Sequence, residues 1–129
     1  WNRRQCTYFN GASNMSQAGG LMALSEEGRK ECRTLVDYYL GNAAIIKEGL
    51  EKAGLVCYGG VNSPYVWAKA PRGMGSWEFF DFLLEKAHVV VTPGEGFGKS
   101  GEGYVRVSSY GHREDIEKAV KAIVEHIND

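Results

Sequence analysis

From Ser25 onward the apolar positions fall first at helical and then at strand spacing. Cys32, Leu35, Val36, Tyr39, Leu40, Ala43, Ile46, Leu50 and Ala53 recur at intervals of three and four, which is one face of an α-helix. Ser25 is placed to cap that helix, Glu26 and Glu27 suit the positive end of its dipole, and Gly54 supplies the stop. At 1.5 Å per residue such a helix is about 40 Å long, more than one small domain spans. Either it breaks near Gly41–Asn42, or it bridges two domains. Upstream, Ser13 to Leu24 reads as a short helix that Gly19–Gly20 weakens.

Beyond Gly54 the period shortens. Leu55 to Tyr58 and Tyr65 to Ala70 read as strands around the turn Gly59–Gly60–Val61–Asn62–Ser63–Pro64. Ser76 is expected to cap a helix from Trp77 to about Ala87, with Phe79, Phe80, Leu83 and Leu84 on its apolar face. Val89 to Thr92 and Tyr104 to Ser109 read as strands, and Arg113 to Ile127 as a last helix. The order helix, two strands, helix, two strands, helix predicts an α+β sandwich. Trp67, Trp77, Phe79 and Phe80 are expected in its core.

The stretch from Thr92 to Gly103 is dense in glycine and leads into Tyr104–Val105–Arg106–Val107–Ser108. Glycine lets backbone approach a ligand closely, and a guanidinium on a rigid strand beside it can grip a carboxylate through two parallel hydrogen bonds. Arg106 is therefore the candidate centre of a site. Two motifs in the same loop mislead. Gly96 to Gly101 spells G-x-G-x-x-G and Pro93 to Ser100 nearly spells a P-loop, but both need a helix to follow, and here a strand follows.

Composition narrows the function classes. A chain of 129 residues with 43% hydrophobic and 24% charged residues suits one globular domain, and a net charge of −1 offers no field for nucleic acid or an anionic membrane. No apolar run approaches the roughly 18 residues of a membrane span. Cys6, Cys32 and Cys57 are odd in number and widely spaced, so they read as reduced thiols, and His88, His112 and His126 do not join them at metal-ligand spacing. Trp1 to Cys6 has neither an initiator methionine nor a disordered lead-in, and reads as the interior of a longer protein.

Asn2–Arg3, the run Cys6 to Ser13 with Phe9–Asn10–Gly11–Ala12, the run Val56 to Trp67, Ser76–Trp77–Glu78–Phe79–Phe80, and Thr92–Pro93–Gly94 through Val107–Ser108 together resemble the C-terminal third of the LL-diaminopimelate aminotransferases. The blocks cover nearly the whole chain in the family's order. The resemblance implies a fold-type I enzyme using pyridoxal 5'-phosphate, with a long helix joining a large domain to a small one. Residues 1–41 would then close the large domain and begin that helix, and residues 42–129 would form the small α+β domain. By position, Arg106 matches the family arginine for the substrate α-carboxylate. Asn10 matches an asparagine that reaches across a homodimer to the partner's cofactor and substrate site.

The implied reaction moves an amino group between LL-diaminopimelate and 2-oxoglutarate, in lysine biosynthesis, in the cytoplasm or, in a plant, the plastid. Its partners are amino-acid and 2-oxo-acid substrates, with no nucleic acid and no membrane. Glu95 and Lys99 depart from the family pattern beside the site, which leaves open an aminotransferase for another amino acid; a stand-alone carboxylate-binding domain is the other alternative. No lysine here, Lys99 included, stands in the family's Schiff-base context, so the fragment alone is expected to be inactive.

Overall fold

A computed structural model describes residues 1–9 and 11–127. The chain divides into two compact units, Trp1–Val36 and Asp37–Asp129. In the first, α1 (Asn2–Tyr8) and α2 (Asn14–Leu24) contain no buried residue. The first of these helices was not expected from the sequence. Ser13 caps α2 by accepting from Ser16 N–H at 3.2 Å. Ser25 ends α2 and begins α3 (Glu26–Lys52), its Oγ accepting from Gly28 N–H at 3.1 Å. A side chain at Gly28 would collide with the Met22 carbonyl, which is why the two helices can meet in so short a turn.

α3 is a single helix, without the break considered at Gly41–Asn42. From Asp37 onward it enters the second unit, where Ala43, Ile46 and Leu50 are buried at helical spacing. It ends in a Schellman turn. Gly54 sits at φ +87°, its N–H donates to Glu51 O, and Leu55 N–H donates to Leu50 O, both at 3.0 Å.

The sheet comprises β1 (Cys57–Gly59), β2 (Tyr65–Lys69), β3 (Thr92–Pro93) and β4 (Tyr104–Ser108) in the order β1-β2-β4-β3, antiparallel throughout. Cys57, Val66, Ala68 and Val105 form one apolar core with residues of three helices. These are Ala43, Ile46 and Leu50 of α3, Phe79 of α4 (Ser76–Phe82), and Ile123 and Ile127 of α5 (Arg113–Ile127). The fold is thus α+β, with helices against one face of the sheet.

Two expectations need correction. The valine run at 89–91 is not a strand: Val89 N–H closes the preceding helix on Leu83 O at 3.1 Å, and only Thr92–Pro93 pairs with β4. Ser76 is not the cap of α4 but its first residue, fully buried. The capping acceptor comes from 26 positions downstream, Glu102 Oε1, to which Ser76 N–H donates at 3.1 Å. The helix closes through a π-helical turn, Leu83–Ala87, with His88 left-handed at φ 56°.

Candidate functional site

Strand alternation builds the site. In β2, Val66 and Ala68 face the core, so Tyr65 and Trp67 face the other way; in β4, Val105 faces the core, so Tyr104 and Arg106 face outward with them. Register places Arg106 between Trp67 on one neighbour and Thr92 on the other. Its guanidinium carbon lies 4.3 Å from the Tyr65 ring centre and 4.5 Å from that of Phe97, which the glycine loop contributes. Two ring faces thus hold the cation by its quadrupolar attraction and limit its rotamers. The Arg106 Nε is buried and has no hydrogen-bond partner, and no carboxylate pairs with Arg106 among the described residues. A buried donor on an uncompensated cation is costly to leave unmet, so the arrangement suits an anionic ligand that completes it.

Beside Arg106 lies an open cleft of about 360 Å³ lined by Tyr58, Trp67, Phe97, Ser100, Gly101 and Tyr104. Trp67 meets Phe97 edge to face at 5.4 Å and Tyr104 at 6.5 Å. Trp67 therefore belongs to the site wall rather than the core, and Trp77 is 55% exposed; of the four aromatics expected inside, Phe79 is fully buried and Phe80 packs on the core's edge.

The glycine loop is ordered by its own geometry. Two 3₁₀ turns, Gly94–Phe97 and Lys99–Gly101, are separated by Gly98 at φ 111°. Gly94 and Gly101 stand back to back, and a Cβ on either would strike the other's carbonyl oxygen. The loop is fixed to α4 by Ser76, whose Oγ donates to Gly101 O at 3.1 Å and accepts from Tyr104 N–H at 3.3 Å. Because Tyr104 opens the strand that carries Arg106, this clamp helps set the register of the site. The sequence offered no local signal for it. No α-helix begins at Gly96–Gly101, which disposes of both phosphate-binding motifs.

A second network holds the far end of β4. Asn42, fully buried on α3, donates through Nδ2 to Ser109 O at 3.2 Å and Gly111 O at 3.0 Å, and accepts from Arg113 Nε at 3.1 Å. Arg113 also donates to Tyr38 O at 3.3 Å.

Asn10, the other expected site residue, lies outside the described residues. Glu95 and Lys99 are exposed. No lysine among the described residues is buried; Lys47 is half-buried and all the others exposed. An amine that forms an imine near neutral pH needs desolvation or a neighbouring charge, so these lysines do not fit as the anchor of pyridoxal phosphate. No cluster of three or more His, Cys, Asp or Glu could hold a metal among the described residues. No described helix is long and apolar enough to cross a membrane. All three cysteines are free, Cys57 alone being buried.

Comparison with known proteins fits this geometry. LL-diaminopimelate aminotransferase of Prochlorococcus marinus strain NATL2A is 54% identical over 124 residues, 96% of this chain and 30% of that protein, and the strain NATL1A protein matches equally well. The chain thus spans under a third of the length of these curated relatives. Among solved structures, the L,L-diaminopimelate aminotransferase of Chlamydomonas reinhardtii superposes with a TM-score of 0.93 at 46% identity, covering 98% of this chain and 31% of that one. A Methanococcus jannaschii protein described as similar in its active site to kynurenine aminotransferases superposes at 0.87 with 26% identity, over 98% of this chain and 34% of its own. The family described as aminotransferase class I and II matches residues 2–123, and the chain belongs to that family.

Proposed function

We propose that this chain is the C-terminal segment of an LL-diaminopimelate:2-oxoglutarate aminotransferase of lysine biosynthesis, and that Arg106 grips the α-carboxylate shared by its substrates. The observation that carries the reading is the Arg106 guanidinium, stacked between Tyr65 and Phe97 on the open face of the sheet with its Nε buried and unmet. The 54% identity to diaminopimelate aminotransferases supports the substrate assignment. Residues 42–129 would form the small domain, and residues 1–41 the end of the large domain with the start of the helix between them.

Pyridoxal phosphate, which the family implies, would supply the electron sink for the substrate carbanion. Its anchoring lysine belongs to a part of the enzyme outside this chain. The contribution of this segment is to bind and orient. Two parallel hydrogen bonds from Arg106 fix the carboxylate plane, and so the direction of the Cα–H bond toward a base. The rings on either side add cation–π attraction and limit the rotamers of the guanidinium. Asn10 is proposed to serve the partner subunit's site in a homodimer. In the intact enzyme, mixing Asn10→Ala with a variant lacking the cofactor lysine should restore part of the activity in hybrid dimers. No recovery with verified subunit exchange would place Asn10 elsewhere.

The test of the main reading is Arg106→Lys in the intact enzyme. A point charge cannot reproduce the guanidinium fork, so kcat/KM should fall roughly 30- to 1,000-fold in both half-reactions, a loss of about 2–4 kcal/mol in transition-state stabilisation, with the cofactor spectrum unchanged. Near-wild-type values in both would reduce Arg106 to an ordinary strand residue.

A further inference from the structure

A second cleft, of about 360 Å³, lies in the helical layer and is lined by Arg72, Phe82, Lys86 and His126. Three groups able to carry positive charge converge there, and none of them has an ion-pair partner among the described residues. Of the described acids nearest in sequence, Glu125 pairs with Lys121 at 3.9 Å, and Asp81 and Glu85 pair with none of the three; Asp129 lies outside the described residues. Arg72 holds its place in a left-handed conformation, φ 55° and ψ 20°, that side chains rarely adopt and that is commonest where function demands it. Its guanidinium donates one hydrogen bond, to Ile127 O at 3.1 Å, and so offsets one carbonyl at the end of α5 while its other donors stay available. The His126 Nδ1 lies 2.8 Å from Ala122 O, which assigns that nitrogen the proton and leaves Nε2 for the cleft. Lys86, in the last turn of its helical segment, makes no hydrogen bond or ion pair among the described residues.

We propose that this cleft is a binding site for a phosphate group, separate from Arg106 and on the opposite side of the sheet. A phosphate dianion matches the two fixed charges of Arg72 and Lys86 and offers the planar fork of Arg72 two acceptors, with the His126 ring beside it. A single carboxylate carries only half the charge of the dianion.

Titrating the 129-residue chain with inorganic phosphate at constant ionic strength, while following the histidine ring resonances by NMR, tests this. His126 should shift saturably, and His88 and His112 should stay in place. Lys86→Gln, an exposed change away from the core, should weaken binding about fivefold or more. Arg106→Lys should leave it unchanged. An unmoved His126 up to tens of millimolar phosphate, or the same affinity in Lys86→Gln, would overturn the proposal.

Discussion

Replacing Asn42 with alanine should be among the most damaging single changes available in the second unit. The side chain is fully buried and makes three hydrogen bonds, two to backbone carbonyls and one from a guanidinium. Neutral hydrogen bonds contribute about 1 kcal/mol each and a charged one about 1.5–3 kcal/mol, and here one stranded partner is buried and two are part-buried. The expected loss is therefore about 3–5 kcal/mol, or roughly 12 °C or more in Tm for a unit of this size. Thermal and urea unfolding followed by tryptophan fluorescence measures it, since Trp67 and Trp77 both lie in this unit. A double-mutant cycle with Arg113→Ala should give a coupling of about 1.5 kcal/mol or more. A loss below about 1 kcal/mol would show that water readily replaces Asn42, and that the β4–α5 connection is not held as described.

Other consequences follow from the loop and the core. Gly101→Ala would place a Cβ 2.6 Å from the Gly94 carbonyl carbon, so the loop must open; the cost should be about 1–3 kcal/mol in chemical denaturation, against near-neutrality for Gly96→Ala, which has open space. Burial, aided by nearby Glu51, pushes the Cys57 thiol up to about 11. The folded state therefore keeps a proton that the unfolded state releases, and the thiol's contribution, intact below about pH 9, is lost as pH rises from there toward 11. Stability measured against pH should fall less steeply across that window in Cys57→Ala, and an identical slope would refute the assignment. With a thiol reagent under native conditions, Cys6 and Cys32 should react while Cys57 waits for unfolding.

The long-period features were legible in the sequence because each rests on many residues. α3 follows from a stripe repeated over about six turns, Cys32 to Ala53, and α5 from Ile116, Val120, Ile123 and Ile127. Arg106 was legible because strand alternation around it is regular and the glycine loop precedes it. Its contact with Tyr65 could have been read as well, since Tyr65 lies on the same face of the sheet, but that required the register of β2 against β4; Phe97 reaches it from the glycine loop, whose path no strand period foretells. The Ser76–Glu102 clamp was illegible for a different reason. A serine before an apolar run ordinarily caps its own helix, and here a carboxylate from a distant loop takes that place while the serine turns inward. The Val89–Val91 run misled because it is hydrophobic for burial of Val91, whereas its backbone serves the end of a helix.

The central claim is that Arg106 recognises a carboxylate on the substrate α-carbon and nothing else about the substrate. A comparison of kcat/KM for the intact enzyme and its Arg106→Lys variant, on diaminopimelate and on the 1,5-diamine that lacks both of its α-carboxylates, tests this. Arg106→Lys should lose roughly 30- to 1,000-fold on the amino acid and almost nothing on the diamine. Equal losses on both would contradict it, and would make Arg106 a support of the sheet rather than the hand that holds the substrate.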